Sequence, residues 1–224
     1  MNLANTLAFV VFPYLALTVF VVGHTYRYVK DAYQWNAKSS ELLDKRGLFA
    51  GSTVFHWGIL GTLFGHVGGL LIPQRLFDAV GIDGGAHTEI AYWAGIAVGT
   101  AAVIGLIILI GRRVLLVRVR KTTSINDWVT LVGLSLVSIL GLYNVFFGHF
   151  YVLDTVAPWI RGIVTFRPDP GLMHPVPISY KLHILAALAL LGFSPFSRLV
   201  HIWSAPLFYV LRSPILFRRR MAGV

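Results

Sequence analysis

Five long apolar stretches set the strongest constraint on the fold of this 224-residue chain. A helix needs about 20 mainly apolar residues to cross the hydrocarbon core of a bilayer, and each stretch reaches about that length. Only 12% of the residues are charged, about half of the share found in ordinary soluble domains. The sequence predicts a single all-α integral membrane domain over residues 1–224 with five transmembrane helices. We number them span 1 to span 5, at about residues 4–26, 52–72, 90–110, 128–148 and 179–203.

Local signals refine the ends of two spans. Asn126 or Asp127 is the predicted N-cap of span 4. Pro195 lies within span 5 and is expected to kink it. Every Asp and Glu falls outside the five spans, which argues against a membrane-buried carboxylate that couples ions to transport.

The basic residues predict the orientation in the membrane. Three segments hold five Lys or Arg residues each: the loop after span 1, the loop after span 3 and the C-terminal end. The other four are Arg75, Arg161, Arg167 and Lys181. Because cytoplasmic loops are rich in Lys and Arg, we expect the N-terminus outside and the C-terminus in the cytoplasm. This bias accounts for the net charge of +10, so no nucleic-acid partner is predicted.

Four histidines lie in or near two of the apolar stretches, His56 and His66 in span 2, His183 and His201 in span 5. Imidazole is unfavourable in lipid, so such residues are candidates for a functional site. Because spans 2 and 5 run in opposite directions, His66 pairs with His183 near the outer face, and His56 pairs with His201 near the cytoplasm. Two bis-histidine haems are the predicted ligands. The chain has no cysteine, which excludes Cys-ligated clusters and c-type haem attachment.

The angles between these histidines on an ideal helix support the pairing. Residues 183 and 201 are about five full turns apart and share a face, and residues 56 and 66, about 80° out of line, can both face one side. The rise is about 15 Å between the first two histidines and about 27 Å between the second two. Helix tilt, the Pro195 kink and the width of a haem have to absorb that difference.

Other interpretations of the histidines stay open at this point. A membrane histidine can simply donate a hydrogen bond to a neighbouring helix. Copper or zinc can also use four histidines, although His56 and His66 are too far apart to share one ion. A transporter or a structural anchor without haem predicts a colourless protein.

Two further features lie close to these histidines. Gly61, Gly65 and Gly69 form a stripe that predicts close helix packing, so Gly65→Leu is expected to damage assembly. Arg198 lies one turn before His201 and is a candidate to bind a propionate of the inner haem. A basic residue that anchors the helix at the membrane surface is the alternative.

Two histidine motifs are longer than the rest: FHWGILG at residues 55–61, leading to Gly65-His66, and PFSRLVHIWSAP at residues 195–206. They resemble motifs of the gamma subunit of membrane-bound respiratory nitrate reductase. Shorter matches are RY at residues 27–28, SS at 39–40, LDKRG at 43–47 and VTF at 164–166. The similarity extends over essentially the whole chain, at matching length and number of spans.

The resemblance implies a dihaem cytochrome b of the inner (cytoplasmic) membrane. Such a subunit carries two haem b and oxidises quinol, either menaquinol or ubiquinol, near the outer face. Electrons pass through the outer haem (His66, His183) and then the inner haem (His56, His201). They continue to an iron–sulfur beta subunit and a molybdenum alpha subunit, where nitrate is reduced. A dihaem subunit of another cytoplasmic reductase is the alternative, which the genomic neighbourhood would distinguish.

The resemblance also implies a quinol site, with one departure from the family pattern. Family members have a lysine in the outer loop after span 2, whereas this chain reads GGAHTE at residues 84–89. His87 is the nearest match and is predicted to contact the quinol, the alternative being a solvated loop histidine. Gly65 is expected to leave room for the quinol ring, and Tyr28 matches a family tyrosine. The basic inner loops and the tail at residues 203–224 would contact the beta subunit and anionic lipid.

Overall fold

The computed structural model describes residues 3–30 and 47–204 and shows a helical bundle. Within these ranges no residue is in a β-strand. Five helices are long and apolar enough to cross a membrane, which confirms the predicted number. They are span 1 (Leu3–Lys30), span 2 (Leu48–Leu71), span 3 (Gly84–Leu115), span 4 (Ile125–Gly148) and span 5 (Ile178–Phe196). The matches at residues 39–40 and 43–46 and the tail from residue 205 lie outside the described residues.

Spans 3 and 4 begin earlier than predicted because their caps lie further upstream. Span 3 starts at Gly84, where the Asp83 side chain accepts a hydrogen bond from the Ala86 backbone. The N-cap of span 4 is Ser124, so the prediction of Asn126 or Asp127 was wrong. Asp127 instead completes a capping box with Ser124 and is buried, so the expectation that all carboxylates lie outside the spans also fails.

The α-helix of span 5 ends at Phe193 and does not continue to His201. Two 3₁₀ turns follow, Ser194–Phe196 and Arg198–Val200, separated by extended backbone at Ser197. His201 begins a separate short helix, His201–Ser204. The single-helix spacing predicted for His183 and His201 was therefore wrong. The rise of about 27 Å assumed one continuous α-helix between them and so does not apply.

Each of three spans contains a π-helical turn: Leu7–Val11 in span 1, Val67–Leu71 in span 2 and Asn144–Gly148 in span 4. All three lie at the end of the bundle that is predicted to face outward. In each turn one backbone carbonyl accepts a side-chain hydrogen bond from the outer part of the chain. The donors are Trp159 Nε1 to Phe9 O (2.9 Å), Arg161 Nη1 to Leu70 O (3.0 Å) and Tyr180 Oη to Asn144 O (3.2 Å).

Span 2 packs against span 3 through glycines. An added Cβ at Gly58 would clash with the backbone of Ala102, and one at Gly105 would clash with the backbone of Phe55. A Cβ at Gly61 would lie 2.6 Å from Val98 Cγ1. Among the described residues, none has an atom within 4 Å of a Cβ at Gly65. The prediction that Gly65 takes part in close helix packing is therefore wrong. The face of span 2 that contacts span 3 carries Gly58 and Gly61.

Candidate functional site

The structure brings the four histidines together as two facing pairs of rings. The ring centroids of His56 and His201 are 5.8 Å apart, with 70° between the ring planes. Those of His66 and His183 are 6.0 Å apart, with 31° between the planes. These are the two pairs that the antiparallel course of spans 2 and 5 predicted, although His201 lies beyond the end of the span 5 helix.

Every paired histidine has the same hydrogen bond at Nδ1. Each Nδ1 lies close to a backbone carbonyl oxygen: Ser52 O for His56 (2.7 Å), Thr62 O for His66 (2.7 Å), Val137 O for His183 (3.0 Å) and Arg198 O for His201 (2.7 Å). A carbonyl can only accept, so Nδ1 carries the proton and donates. The lone pair is then on Nε2, which is the arrangement that metal-ligating histidines adopt.

The distance between the rings fits one iron atom per pair. An imidazole nitrogen binds a first-row metal ion at about 2 Å, so ring centroids about 6 Å apart would leave room for one iron atom between the two rings of a pair. Within residues 3–30 and 47–204, no three His, Asp or Glu side chains converge on one point. A closed zinc site uses four protein ligands. Two ligands per pair therefore fit haem, which supplies the other four nitrogens to iron.

Neighbouring groups fix the two rings of the outer pair differently. His66 is exposed on span 2, with Gly65 before it also exposed. His183 contacts span 4, where a Cβ at Gly141 would lie 2.9 Å from its Cε1 atom. The ring of His183 can thus occupy its place only because residue 141 has no side chain.

The inner pair lies beside an open pocket and an ion pair. Ser52, Thr53, Trp57 and Leu60 line the pocket together with His56. On the other side, Arg198 donates from Nε and Nη2 to the carboxylate of Asp127, at 2.5 and 2.9 Å. Arg198, which was predicted to bind a haem propionate, therefore binds a carboxylate of the protein itself.

The three predicted quinol residues do not lie together. His87 is in the first turns of span 3 and buried, with only 7% of its surface exposed, so a solvated loop histidine is not what the structure contains. Its Nδ1 lies 2.7 Å from Gln74 Oε1, and a Cβ at Gly69 would lie 3.4 Å from its Nε2. Tyr28 lies next to Arg27, whose guanidinium binds Pro195 O near the inner pair. The structure therefore separates Tyr28 from Gly65 and His87.

Known proteins resemble the chain over nearly its whole length. A family model described as nitrate reductase gamma subunit matches residues 5–220. The chain belongs to the nitrate reductase gamma subunit family. It is 44% identical to the nitrate reductase gamma chain of Bacillus subtilis, over 94% of this chain and 96% of that one. It is 34% identical to the respiratory nitrate reductase 1 gamma chain of Escherichia coli, over 98% of this chain and 100% of that one.

Membership in the nitrate reductase gamma subunit family confirms the resemblance predicted from the histidine motifs. It makes the chain a membrane component of a multi-subunit oxidoreductase. The five long apolar helices agree with a multi-pass membrane protein.

Sequence reasoning missed two residues of this gamma subunit that lie against the histidine pairs. Gly141 contacts His183, and Asp127 binds Arg198 near His201. The available signal for Gly141 was its spacing from Gly133, eight residues or about 80° around an ideal helix, an arc that one neighbouring helix can cover. Asp127 gave no comparable signal, since a carboxylate near a helix N-terminus is usually read as a cap.

Proposed function

We propose that this chain is a dihaem cytochrome b that oxidises quinol and delivers electrons to a cytoplasmic nitrate reductase. His56 and His201 would hold the inner haem b, and His66 and His183 the outer haem b. The observation that carries this proposal is the Nδ1 hydrogen bond to a backbone carbonyl in all four histidines, whose rings lie in two pairs about 6 Å apart. When bound, the two haems would carry single electrons between the two sides of the membrane.

The positions of the pairs along span 2 support this role. His56 and His66 are ten residues apart, so the pairs lie at depths about 15 Å apart on one helix. Each pair takes one histidine from span 2 and one from the chain at or after span 5. The two histidine pairs would thus hold two redox sites at different depths between the same elements of the bundle.

The quinol would be oxidised beside the outer pair. Gly65 is exposed next to His66, and an added Cβ there meets open space among the described residues, which supports room for a quinol ring. His87 packs on the π turn that follows His66 and has one nitrogen bound to Gln74. We propose that its other nitrogen accepts a proton or hydrogen bond from the quinol, menaquinol or ubiquinol.

The cytoplasmic partners would bind at the opposite end of the bundle. The short helix Val117–Lys121 carries exposed Arg118, Arg120 and Lys121 on the side that the distribution of basic residues predicts to be cytoplasmic. We propose that this basic end contacts the iron–sulfur beta subunit and lipid headgroups of the inner membrane, with the molybdenum alpha subunit beyond. The names of the relatives, a respiratory nitrate reductase gamma chain among them, support such a complex.

Replacing one histidine of each pair in turn tests the haem assignment. We expect His183→Leu to remove the outer haem and His56→Leu to remove the inner one, each leaving about one haem per chain in purified complex. His174→Gln is the matched control, because His174 lies in the outer segment and outside both pairs. Two haems retained in either paired-histidine variant would contradict the assignment.

Replacing His87 tests the quinol assignment separately. We expect His87→Ala to retain both haems but to slow quinol oxidation by about 10²-fold or more, the range typical of a positioned proton acceptor. Oxidation of a quinol analogue by membranes, with nitrate as acceptor, measures the rate. An unchanged rate and affinity would remove His87 from the quinol site and leave the haem assignment intact.

A further inference from the structure

The break after span 5 exposes backbone groups that need partners at the inner end of the bundle. Residues 194–200 form two 3₁₀ turns in place of an α-helix. Backbone carbonyls that lose their helical partners are unfavourable near lipid unless another donor binds them. Side chains of spans 1 and 4 supply those donors.

Two long-range hydrogen bonds hold the backbone of the break. Arg27 Nη1 in span 1 donates to Pro195 O at 2.7 Å. Asn126 Nδ2 in the first turn of span 4 donates to Phe196 O at 2.6 Å. Spans 1 and 4 therefore fix the two consecutive carbonyls from different sides.

The buried carboxylate of Asp127 holds Arg198, the first residue of the second 3₁₀ turn. Asp127 is 4% exposed, and Arg198 binds it with Nε at 2.5 Å and Nη2 at 2.9 Å. Arg113 of span 3 contributes a second positive charge at 3.8 Å. A two-point guanidinium–carboxylate contact fixes orientation as well as distance. The side chain of Arg198 is thus tied to span 4.

The same arginine orients His201 through its backbone. His201 Nδ1 donates to Arg198 O at 2.7 Å. A carboxylate on span 4 therefore fixes a guanidinium, and the backbone of that arginine fixes the imidazole that faces His56. Second partners of this kind orient a ligating histidine and set its tautomer.

We propose that Asp127 is a positioning residue for His201, acting through Arg198. The proposal rests on the proposed function, in which His201 binds the inner haem. In this proposal Arg198 binds the carboxylate of Asp127. The sequence had predicted that Arg198 binds a haem propionate. The contacts of Asp127 with Ser124, Arg198 and Arg113 lead to His201 and not to the outer pair, so we expect its effect at the inner pair.

The test compares Asp127→Asn with wild type in the intact complex in membranes. The variant keeps the size of the side chain but loses its charge and one acceptor. We expect the inner haem to be lost, or to shift in redox potential and in its low-spin spectroscopic signal, while the outer haem keeps its wild-type signal. Asp127→Glu, which keeps the carboxylate, is expected to restore at least part of the inner-haem signal.

Ser124→Ala is the matched control for helix capping. Ser124 shares the capping box with Asp127, and both of its hydrogen bonds in that box are made with Asp127. We expect this variant to keep both haem signals. Equal loss of the inner haem in Ser124→Ala and Asp127→Asn would mean that Asp127 acts by capping span 4, and would overturn the proposal.

Arg198→Lys is a second test of the same contact, for use if the Asp127→Asn complex does not assemble. Lysine keeps the positive charge but cannot make the two-point contact. We expect the inner haem of this variant to change its potential or low-spin signal. A wild-type inner haem in Arg198→Lys, or in assembled Asp127→Asn, would overturn the positioning role. Absence of haem from wild-type protein would instead contradict the proposed function.

Discussion

At the scale of single residues, the four paired histidines differ in where their carbonyl partners lie. His56 and His66 each use the carbonyl four residues earlier in their own helix, and His201 uses the one three residues earlier. His183 alone depends on another helix, because its partner is Val137 O of span 4. The position of His183 should therefore be the most sensitive to changes in helix packing.

Gly141→Ala tests that sensitivity. The new methyl group would lie 2.9 Å from His183 Cε1, so the ring or span 4 has to move. We expect loss of the outer haem or a changed outer-haem potential, with the inner haem unaffected, in spectra of reduced and oxidised membranes. Gly133→Ala on the same helix is the control, because its methyl would meet the flexible end of Leu190 at 3.0 Å. Equal spectra of the two variants would show that Gly141 does not place His183.

The candidate site could be predicted from the sequence only as far as the histidines themselves. Their rarity in apolar stretches identified them, and the alternating direction of the spans paired them correctly in space. The carbonyl partners could not be predicted, because a carbonyl is present at every residue and only the backbone path decides which one is near. The partners of Asp127 and His87 could not be predicted for the same reason, since Arg198 and Gln74 reach them only through tertiary contacts.

At the scale of the helix, glycines separate the packing face of span 2 from its exposed face. Gly58 meets the backbone of span 3, whereas Gly65 meets open space among the described residues. We expect Gly58→Leu to destabilise the protein by roughly 1–3 kcal/mol or more, because backbone cannot move aside as a side chain can. Thermal unfolding in detergent measures this effect.

Gly65→Leu is the matched variant on the same helix. It is expected to unfold close to the wild-type temperature and to keep both haems, while quinol oxidation falls because the side chain fills the space beside His66. A destabilisation of Gly65→Leu as large as that of Gly58→Leu would contradict the assignment of the two faces.

The end of the span 5 helix could not be predicted from the sequence. The apolar run extends past Pro195, and run length alone therefore carried the predicted helix to residue 203. The structure ends the α-helix at Phe193, and in the 3₁₀ turn Ser194–Phe196 that follows, Arg27 donates to Pro195 O and Asn126 donates to Phe196 O. Those donors come from residues 168 and 70 positions away, so no local pattern could indicate them.

At the scale of the whole molecule, the segment between spans 4 and 5, at the end of the bundle predicted to face outward, holds the helices together. The amphipathic helix Val156–Val164 forms a buried cluster with Phe9, Met173 and Val176. Its Trp159 and Arg161 bind carbonyls in π turns of spans 1 and 2. Since one of those turns directly follows His66, this segment fixes the end of the bundle at which we place the quinol.

The central claim is that the bundle holds two haems, one for each histidine pair. The most direct measurement is a dithionite-reduced minus oxidised visible spectrum of the purified chain, with haem quantified per polypeptide. The account predicts the spectrum of a b-type cytochrome and two haems per chain. A colourless, folded protein from cells supplied with haem would contradict it and leave the paired histidines as contacts between helices.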